Sequence, residues 1–271
     1  MTAIDPDRVA ALIREAARNE ILPRFEKLAA HEVREKARGE LVTIADEAVE
    51  AWLEPRFIEL LPGSRVLGEE AAAENPSIIA ELADSDDPIW MIDPVDGTSN
   101  FVAGRPIFAV MAALVRHGEI LGGWIYDPVK DRMAVAEHGG GATIDGERVR
   151  VAAPPDEDRA FRGVILGGSY GVPAVNERLK QRRERVDAVK SRRCAGAEYL
   201  SLAAGEMHFA VFTRLMPWDH APGVIIHREA GGYGRHMDGS RYIPGRLEAG
   251  ALLTAPDNAS WERLYRLLLA P

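Results

Sequence analysis

The centre of this chain reads Trp90-Met91-Ile92-Asp93-Pro94-Val95-Asp96-Gly97-Thr98-Ser99-Asn100-Phe101. An apolar run ends there in two carboxylates, and a glycine and small polar residues follow. This pattern predicts a buried strand that carries acidic side chains at its C-terminal end and then turns its backbone N–H groups toward an anion. Carboxylates that bind hard cations, next to donors that bind phosphate, indicate metal-dependent phosphoryl chemistry.

The residues of this motif suggest individual roles even without a comparison. Asp93, Asp96 and the backbone carbonyl of Val95 are oxygen ligands of the kind that Mg²⁺ prefers. Gly97 permits a turn with positive φ, after which backbone N–H groups can face a phosphate at a helix N-terminus. The structural alternative is a strand–turn–helix in which Asp96 only caps the helix.

Two more acidic clusters follow predicted strands. They are Gly68-Glu69-Glu70 and Pro217-Trp218-Asp219-His220. Taken separately, the Glu pair fits a solvated surface, and Asp219 fits a helix cap. Because α/β proteins place ligands at the carboxyl ends of strands, the coincidence of three such clusters favours a common site.

The amino-acid composition limits the binding partners and the cellular compartment that we expect. The chain has 271 residues, with 33 basic and 42 acidic side chains and a net charge of −9, which disfavours nucleic-acid polymers and anionic membranes. Its single cysteine, Cys194, predicts a buried thiol in a reducing cytoplasm. We find no secretory signal pattern and no run near the roughly 20 apolar residues of a membrane span.

Hydrophobic periodicity predicts two subdomains, an α+β half over 1–155 and an α/β half over 156–271, joined by a Pro/Asp-rich linker at 154–158. In the first half we expect helices over about 7–28 and 43–61, loops over 31–39 and 71–87, strands at 64–67, 89–92, 107–115, 119–126 and 132–136, and a hairpin at Asp145-Gly146. In the second we expect strands at 163–166 and 208–213, helices at 174–186 and 198–204, one opening at Pro217, and one after Ser260.

Together these motifs resemble the inositol monophosphatase family, which belongs with the fructose-1,6-bisphosphatases to a group of lithium-sensitive, Mg²⁺-dependent phosphomonoesterases. The resemblance covers nearly the whole chain and is carried by Leu41-Val42-Thr43-Ile44-Ala45-Asp46, Gly68-Glu69-Glu70, residues 90–101, Trp218-Asp219 and Ala230-Gly231-Gly232. It implies an α/β fold built as a layered α-β-α-β-α sandwich and a cytoplasmic homodimer.

The resemblance also implies the metal ligands. Glu69, Asp93 and the Val95 carbonyl would bind one Mg²⁺, while Asp93, Asp96 and Asp219 would bind a second. Glu69 would help to bind a weaker third ion. Two cations can lower the pKa of a bound water and stabilise the leaving alkoxide.

The catalytic and phosphate-binding residues follow from the same resemblance. Thr98, paired with Asp46, would position the attacking water, and Glu69 is counted with them as catalytic. The backbone of Gly97, Thr98 and Ser99 would hold the phosphate. For Asp46 the structural alternative is an exposed acid in a first helical turn.

The substrate is less well specified. Phe212 stands where inositol-preferring members carry a glutamate, and a phenyl ring accepts no hydroxyl hydrogen bond. Arg214 and His220 lie nearby in sequence and offer contacts to another leaving group, although Arg214 also fits a surface position. Ala195, in the small-residue segment 192–197, belongs to the expected pocket wall.

The prediction is therefore a phosphatase of small polyol or sugar-type phosphates that forms no phosphoenzyme. Histidinol phosphate, 3′-phosphonucleotides and sugar bisphosphates are alternative substrates. A haloacid dehalogenase phosphatase is less favoured, because its acids are separated by one residue and lie near the N-terminus. The non-enzymatic alternative is a metal- or phosphate-binding regulator that uses a retired phosphatase fold.

Overall fold

The computed structural model describes residues 4–37, 40–75, 77–166, 171–246 and 250–271. The helices within these ranges are α1 (Pro6–Ala16), α2 (Ile44–Leu60), α3 (Glu69–Glu74), α4 (Ile78–Glu81), α5 (Thr98–Val102), α6 (Pro173–Arg182), α7 (Ala195–Ala203), α8 (Pro217–Glu229) and α9 (Asn258–Leu264). The strands are β1 (Val33–Ala37), β2 (Glu40–Thr43), β3 (Arg65–Gly68), β4 (Ile89–Asp96), β5 (Ala109–Arg116), β6 (Glu119–Asp127), β7 (Arg132–Glu137), β8 (Gly141–Ile144), β9 (Glu147–Arg148), β10 (Arg162–Leu166), β11 (Asp187–Val189), β12 (Phe209–Phe212), β13 (Tyr233–His236) and β14 (Leu252–Ala255).

Two sheets organise the protein. The larger has seven strands in the order β3-β4-β5-β6-β7-β8-β9, and it is antiparallel except for the parallel pair β3–β4. The smaller has five strands in the order β11-β10-β12-β14-β13, with β10 parallel to both of its neighbours. A separate hairpin pairs β1 with β2.

Alternating side chains of the strands separate the core into layers. On β4, Trp90 and Ile92 pack with α1 and α2, whereas Met91 packs on the opposite face with α7 and α8. On β12, Phe212 joins the same central layer, whereas Val211 packs with α6 and α9. Because successive residues of a strand point to opposite faces, both sheets are covered on both sides. The α-β-α-β-α sandwich expected from the resemblance is confirmed.

Several local expectations were wrong. Segment 31–39, expected as a loop, contains β1, which pairs with β2. Segment 71–87 contains most of α3 and all of α4. The sequence also gave no sign of β13 and β14, which are only four residues each. Short elements carry too few residues for a periodic pattern to stand out.

The hairpin at Asp145-Gly146 is confirmed. Asp145 has φ 52° and Gly146 has φ 83°, the two left-handed conformations that a tight hairpin turn requires between β8 and β9. Among the helices of the described ranges, none is sufficiently long and apolar to cross a bilayer.

Candidate active site

A bulge in β4 brings the two acids of the central motif to one face of the sheet. Asp93 pairs with Met111 of β5, and Asp96 pairs with Ala109, so three steps on β4 match two on β5. In a regular strand, residues three apart would point to opposite faces, and the extra residue corrects this. The acids thus lie within β4 and not beyond its end, and both face the layer of α7 and α8.

The neighbouring strand delivers Glu69. Gly68, the last residue of β3, pairs in parallel with Ile92 of β4, so Glu69 follows at the same sheet edge as Asp93. Glu50 on α2 accepts hydrogen bonds from the backbone N–H groups of Glu70 and Ala71, both at 3.3 Å. Glu50 therefore stabilises the first turn of α3, where orphan N–H groups need acceptors.

Lys36 of β1 provides the positive charge beside this turn. Its Nζ donates to Glu69 Oε1 at 2.9 Å and to Glu70 Oε1 at 2.7 Å. Burial lowers the pKa of Lys36, but the two carboxylates raise it more, to about 12. The lysine is therefore charged at neutral pH and neutralises part of the acidic cluster.

Asp219 enters the site from α8, which begins at Pro217. The next residue, His220, is buried, and its ring lies between the hydroxyl of Tyr199, 3.1 Å from Nδ1, and the carbonyl of Arg214, 2.8 Å from Nε2. Burial lowers the pKa of His220 to about 4, so the ring is neutral. A neutral ring satisfies both contacts if Nε2–H donates to the Arg214 carbonyl and Nδ1 accepts from Tyr199.

Asp96 also joins β4 to the N-terminus of α7. Its carboxylate accepts from the N–H of Ala195 at 3.0 Å, the N–H of Gly196 at 2.6 Å and the thiol of Cys194 at 3.0 Å. The positive end of a helix favours a carboxylate in this position. The lone cysteine is thus buried, as expected, and it lies against a candidate ligand.

Buried polar side chains fix the segment before α7. Asn100 donates through Nδ2 to the carbonyls of Ile107 and Arg192, both at 2.9 Å. Glu198, 1% exposed, accepts from the Arg192 backbone at 2.7 Å and from its guanidinium at 2.6 Å. These bonds tie the 97–107 turn to the segment that positions Asp96.

Gly97 occupies the turn between β4 and α5 with φ 88° and ψ 30°. This left-handed conformation suits glycine, and a Cβ there would also press on the Ile107 carbonyl at 3.0 Å. The first N–H groups of a helix have no partner within the helix. The turn can therefore offer the Gly97, Thr98 and Ser99 amides to an anion.

A single cavity of about 460 Å³ collects almost all of the predicted site residues. Those that line it are Glu69, Asp93, Val95, Asp96, Gly97, Thr98, Ser99, Ala195, Phe212, Arg214 and Asp219. Asp46 does not line the cavity and is 1% exposed. The tertiary structure thus joins residues from both halves of the chain in one place.

The predicted hydrogen bond between Asp46 and Thr98 is not present in the structure. Asp46 accepts from the N–H and hydroxyl of Thr43, at 2.8 and 2.6 Å, in a capping arrangement at the start of α2. The Thr98 hydroxyl donates to the Val95 carbonyl at 2.9 Å. Burial raises the pKa of Asp46 to about 7 despite the Thr43 bonds. Asp46 is therefore a buried acid and not an exposed one.

The acids of the cavity raise one another's pKa. Asp93 is buried and Asp219 is partly exposed, and the pKa of each lies well above its usual value. Burial is the main cause, and the charge of Glu69 adds to it. The pKa of Asp96 is also raised by burial, although its hydrogen bonds oppose the rise. Clustered carboxylates with raised pKa values are typical of sites that neutralise a cation.

The chemistry of these donors fits a hard divalent cation, because carboxylate and carbonyl oxygens are its preferred ligands. Within the described ranges, however, no group of three or more His, Cys, Asp or Glu side chains is already arranged to hold a metal ion. In this arrangement Glu69 bonds Lys36 and Asp96 bonds the start of α7. An ion would have to displace or share these contacts.

Comparison with known proteins places the chain in a family. A model of the inositol monophosphatase family matches residues 5–269. The chain belongs to the inositol monophosphatase family. Membership makes it a metal-dependent phosphomonoesterase, consistent with the acidic cavity.

The aligned regions of two relatives cover most of the chain. It is similar to an inositol-1-monophosphatase of Mesorhizobium japonicum, 36% identical with 76% of each chain covered. It is also similar to a Thermotoga maritima fructose-1,6-bisphosphatase/inositol-1-monophosphatase, 32% identical with 73% of each chain covered. Among solved structures, the extragenic suppressor protein SuhB of Bartonella henselae superposes with a TM-score of 0.78 at 26% identity, covering 97% of this chain and 98% of that one.

Phe212 makes the cavity wall apolar at the position where the sequence analysis placed the glutamate of inositol-preferring members. Phe212 is 2% exposed and stacks on Tyr199 with ring centroids 5.0 Å apart, and its ring lies 4.7 Å from that of His220. Arg214 is not a free surface residue, since it lines the cavity and pairs with Glu40 at 2.7 Å.

Four residues that position the site were missed in the sequence. Lys36 and Glu40 lay in or next to the segment expected as a loop, and Glu198 looked like an ordinary helical acid. Glu50 left a usable signal, because it follows Asp46 by four residues and so shares its face of α2.

Proposed function

We propose that this protein is a Mg²⁺-dependent phosphatase of a small polyol or sugar-type phosphate, in which metal-activated water attacks phosphorus without a phosphoenzyme. The observation that carries the proposal is the meeting of Glu69, Asp93, Asp96 and Asp219 in one cavity with the Gly97 turn. These acids come from three separate elements, β4, α3 and α8.

We assign the metal ligands as two overlapping sets. Glu69, Asp93 and the Val95 carbonyl form one, and Asp93, Asp96 and Asp219 form the other. Glu69 also belongs to a weaker third site. When bound, the ions lower the pKa of water and neutralise the charge of the ester. Glu69 would hold a metal with the carboxylate that now accepts from Lys36, and the ion would take over the charge compensation that the ammonium provides.

The other residues hold and orient the reactants. The amides of Gly97, Thr98 and Ser99 bind phosphate oxygens at the start of α5. We assign Thr98, which lines the cavity, to orienting the attacking water. Asp46 bonds Thr43 outside the cavity, so it would act on this water only by exchanging Thr43 for the Thr98 hydroxyl.

Phosphate release measures the proposal directly. Protein stripped with EDTA should hydrolyse none of inositol 1-phosphate, sorbitol 6-phosphate and p-nitrophenyl phosphate, and Mg²⁺ should restore turnover of at least one. Lithium should inhibit it, and gel filtration should give a homodimer, as the family resemblance implies. Hydrolysis that persists without any divalent metal would refute the mechanism. A lack of turnover on this panel with Mg²⁺ would favour a phosphate-binding regulator.

A further inference from the structure

The cavity contains arginines as well as acids. Arg193 and Arg214 both line it, from the segment before α7 and the segment after β12. A guanidinium can donate to the hydroxyls of a neutral polyol, but its charge and planar fork of donors match a carboxylate or phosphate better. The arginines therefore bear on which leaving group the cavity accepts.

The backbone of Arg214 is held by a hydrogen bond, whereas its guanidinium is partly exposed in an ion pair. The neutral ring of His220 contacts the Arg214 carbonyl at 2.8 Å and is itself held by Tyr199. The guanidinium reaches Glu40 Oε1 at 2.7 Å, and the Arg214 side chain is 36% exposed. The guanidinium thus belongs to the same cavity as the acidic cluster.

Glu40 already occupies this guanidinium with an internal carboxylate. Glu40 lines the cavity too, and its side chain is 30% exposed. Partly exposed ion pairs contribute little to stability, so a substrate oxyanion can replace Glu40 at small cost. Without Arg214, the Glu40 carboxylate beside that position would repel a second anionic group.

We propose that Arg214 selects phosphomonoesters whose leaving group carries a second oxyanion, a carboxylate or a phosphate, and that Glu40 occupies Arg214 until this oxyanion replaces it. The inference rests on the proposed phosphatase function. Phe212 agrees with it, because a phenyl ring at the wall offers no hydrogen-bond acceptor to a neutral polyol. The nature of the oxyanion is left to the substrate series below.

Three hexitol-type substrates isolate the second charge. Sorbitol 6-phosphate has a neutral far end, 6-phosphogluconate replaces that end with a carboxylate, and sorbitol 1,6-bisphosphate replaces it with a phosphate. For the wild type with Mg²⁺, kcat/KM should be about tenfold higher for one or both substrates with an anionic far end than for sorbitol 6-phosphate. The bisphosphate ratio must exceed the statistical factor of two, and the two ratios distinguish carboxylate from phosphate recognition.

The variants then assign the preference to its residues. Arg214→Gln should reduce the preferred ratio to near its statistical value, whereas Glu40→Gln should raise it by removing the competing carboxylate. Arg65→Gln and Glu81→Gln remove a similar exposed ion pair, 2.7 Å in length, outside the cavity, and should leave the ratios unchanged.

The outcomes distinguish an error in the role of Arg214 from an error in the phosphatase function. Wild-type ratios at their statistical values, or a preference that Arg214→Gln does not reduce, would overturn the role of Arg214 while the phosphatase function stands. Failure to release phosphate from any of the three, with p-nitrophenyl phosphate also inert, would refute the phosphatase function and this inference with it.

Discussion

Replacing Asn100 should weaken both the fold and the site. Asn100 is 1% exposed, and its Nδ2 donates to the Ile107 and Arg192 carbonyls at 2.9 Å, with Arg193 O at 3.4 Å. Asn100→Ala removes two good hydrogen bonds, each contributing about 1 kcal/mol, and leaves two carbonyls short of a donor at about 1 kcal/mol or more each. Since the two contributions overlap, we expect a loss of about 2–4 kcal/mol in the free energy of unfolding.

Urea unfolding of the metal-free protein at pH 7 measures this loss, with Asn258→Ala as the matched control. Asn258 is exposed and donates to Glu262 within its own helix, at 3.2 Å, so its replacement should cost less than about 0.5 kcal/mol. Asn100→Asp should cost more than Asn100→Ala, because a carboxylate would face carbonyl oxygens. A loss below 1 kcal/mol for Asn100→Ala, or a smaller loss for Asp than for Ala, would refute the reasoning.

Three further changes test other parts of the structure. Asp93→Asn should lower kcat by about 10³-fold or more while preserving the circular dichroism spectrum, because it weakens both proposed metals; retained turnover would contradict the shared ligand. Burial raises the pKa of Asp46 and of Glu50 to about 7, so their contribution to stability is present at low pH and lost as pH rises through about 7. The unfolding free energy of the metal-free protein should therefore fall between pH 5 and 8, less steeply in Glu50→Gln, and an unchanged slope in that variant would argue against the Glu50 contribution. Gly223→Ala should lower the melting temperature, because its Cβ would overlap the Tyr199 ring, although alanine ordinarily stabilises a helix; a rise would show that the ring can move.

Much of the fold could be read from local patterns. The alternation of strand residues, the tight turn at Asp145-Gly146 and the helix starting at Pro217 all depend on neighbours in sequence, where dihedral preferences act. Segment 31–39 was mistaken for a loop because β1 is polar, and a strand of a two-stranded hairpin needs no buried face. The backbone of β1 forms hydrogen bonds with β2, and the side-chain pattern of β1 gives no indication of this pairing.

In the candidate site too, the sequence predicted some features and not others. The identity of its acids was visible because Asp93, Asp96, Glu69 and Asp219 follow predicted strands or open predicted helices. Their common direction was not visible, because it depends on a one-residue bulge set by pairing with β5. The partners of Asp46 and Thr98 were also misjudged, since each hydroxyl and carboxyl has several acceptors or donors within reach.

The sequence by itself determined the chemistry of this protein: carboxylates for a hard cation, a glycine turn for an anion and enough alternating apolar residues for two sheets. Tertiary structure decided how these groups face one another. The bulge in β4 directs Asp96 toward α7. Glu50 accepts hydrogen bonds from the turn that carries Glu69, and Glu40 forms an ion pair with Arg214. Such contacts join residues far apart in the chain, and their geometry depends on packing and registry, which no local propensity encodes.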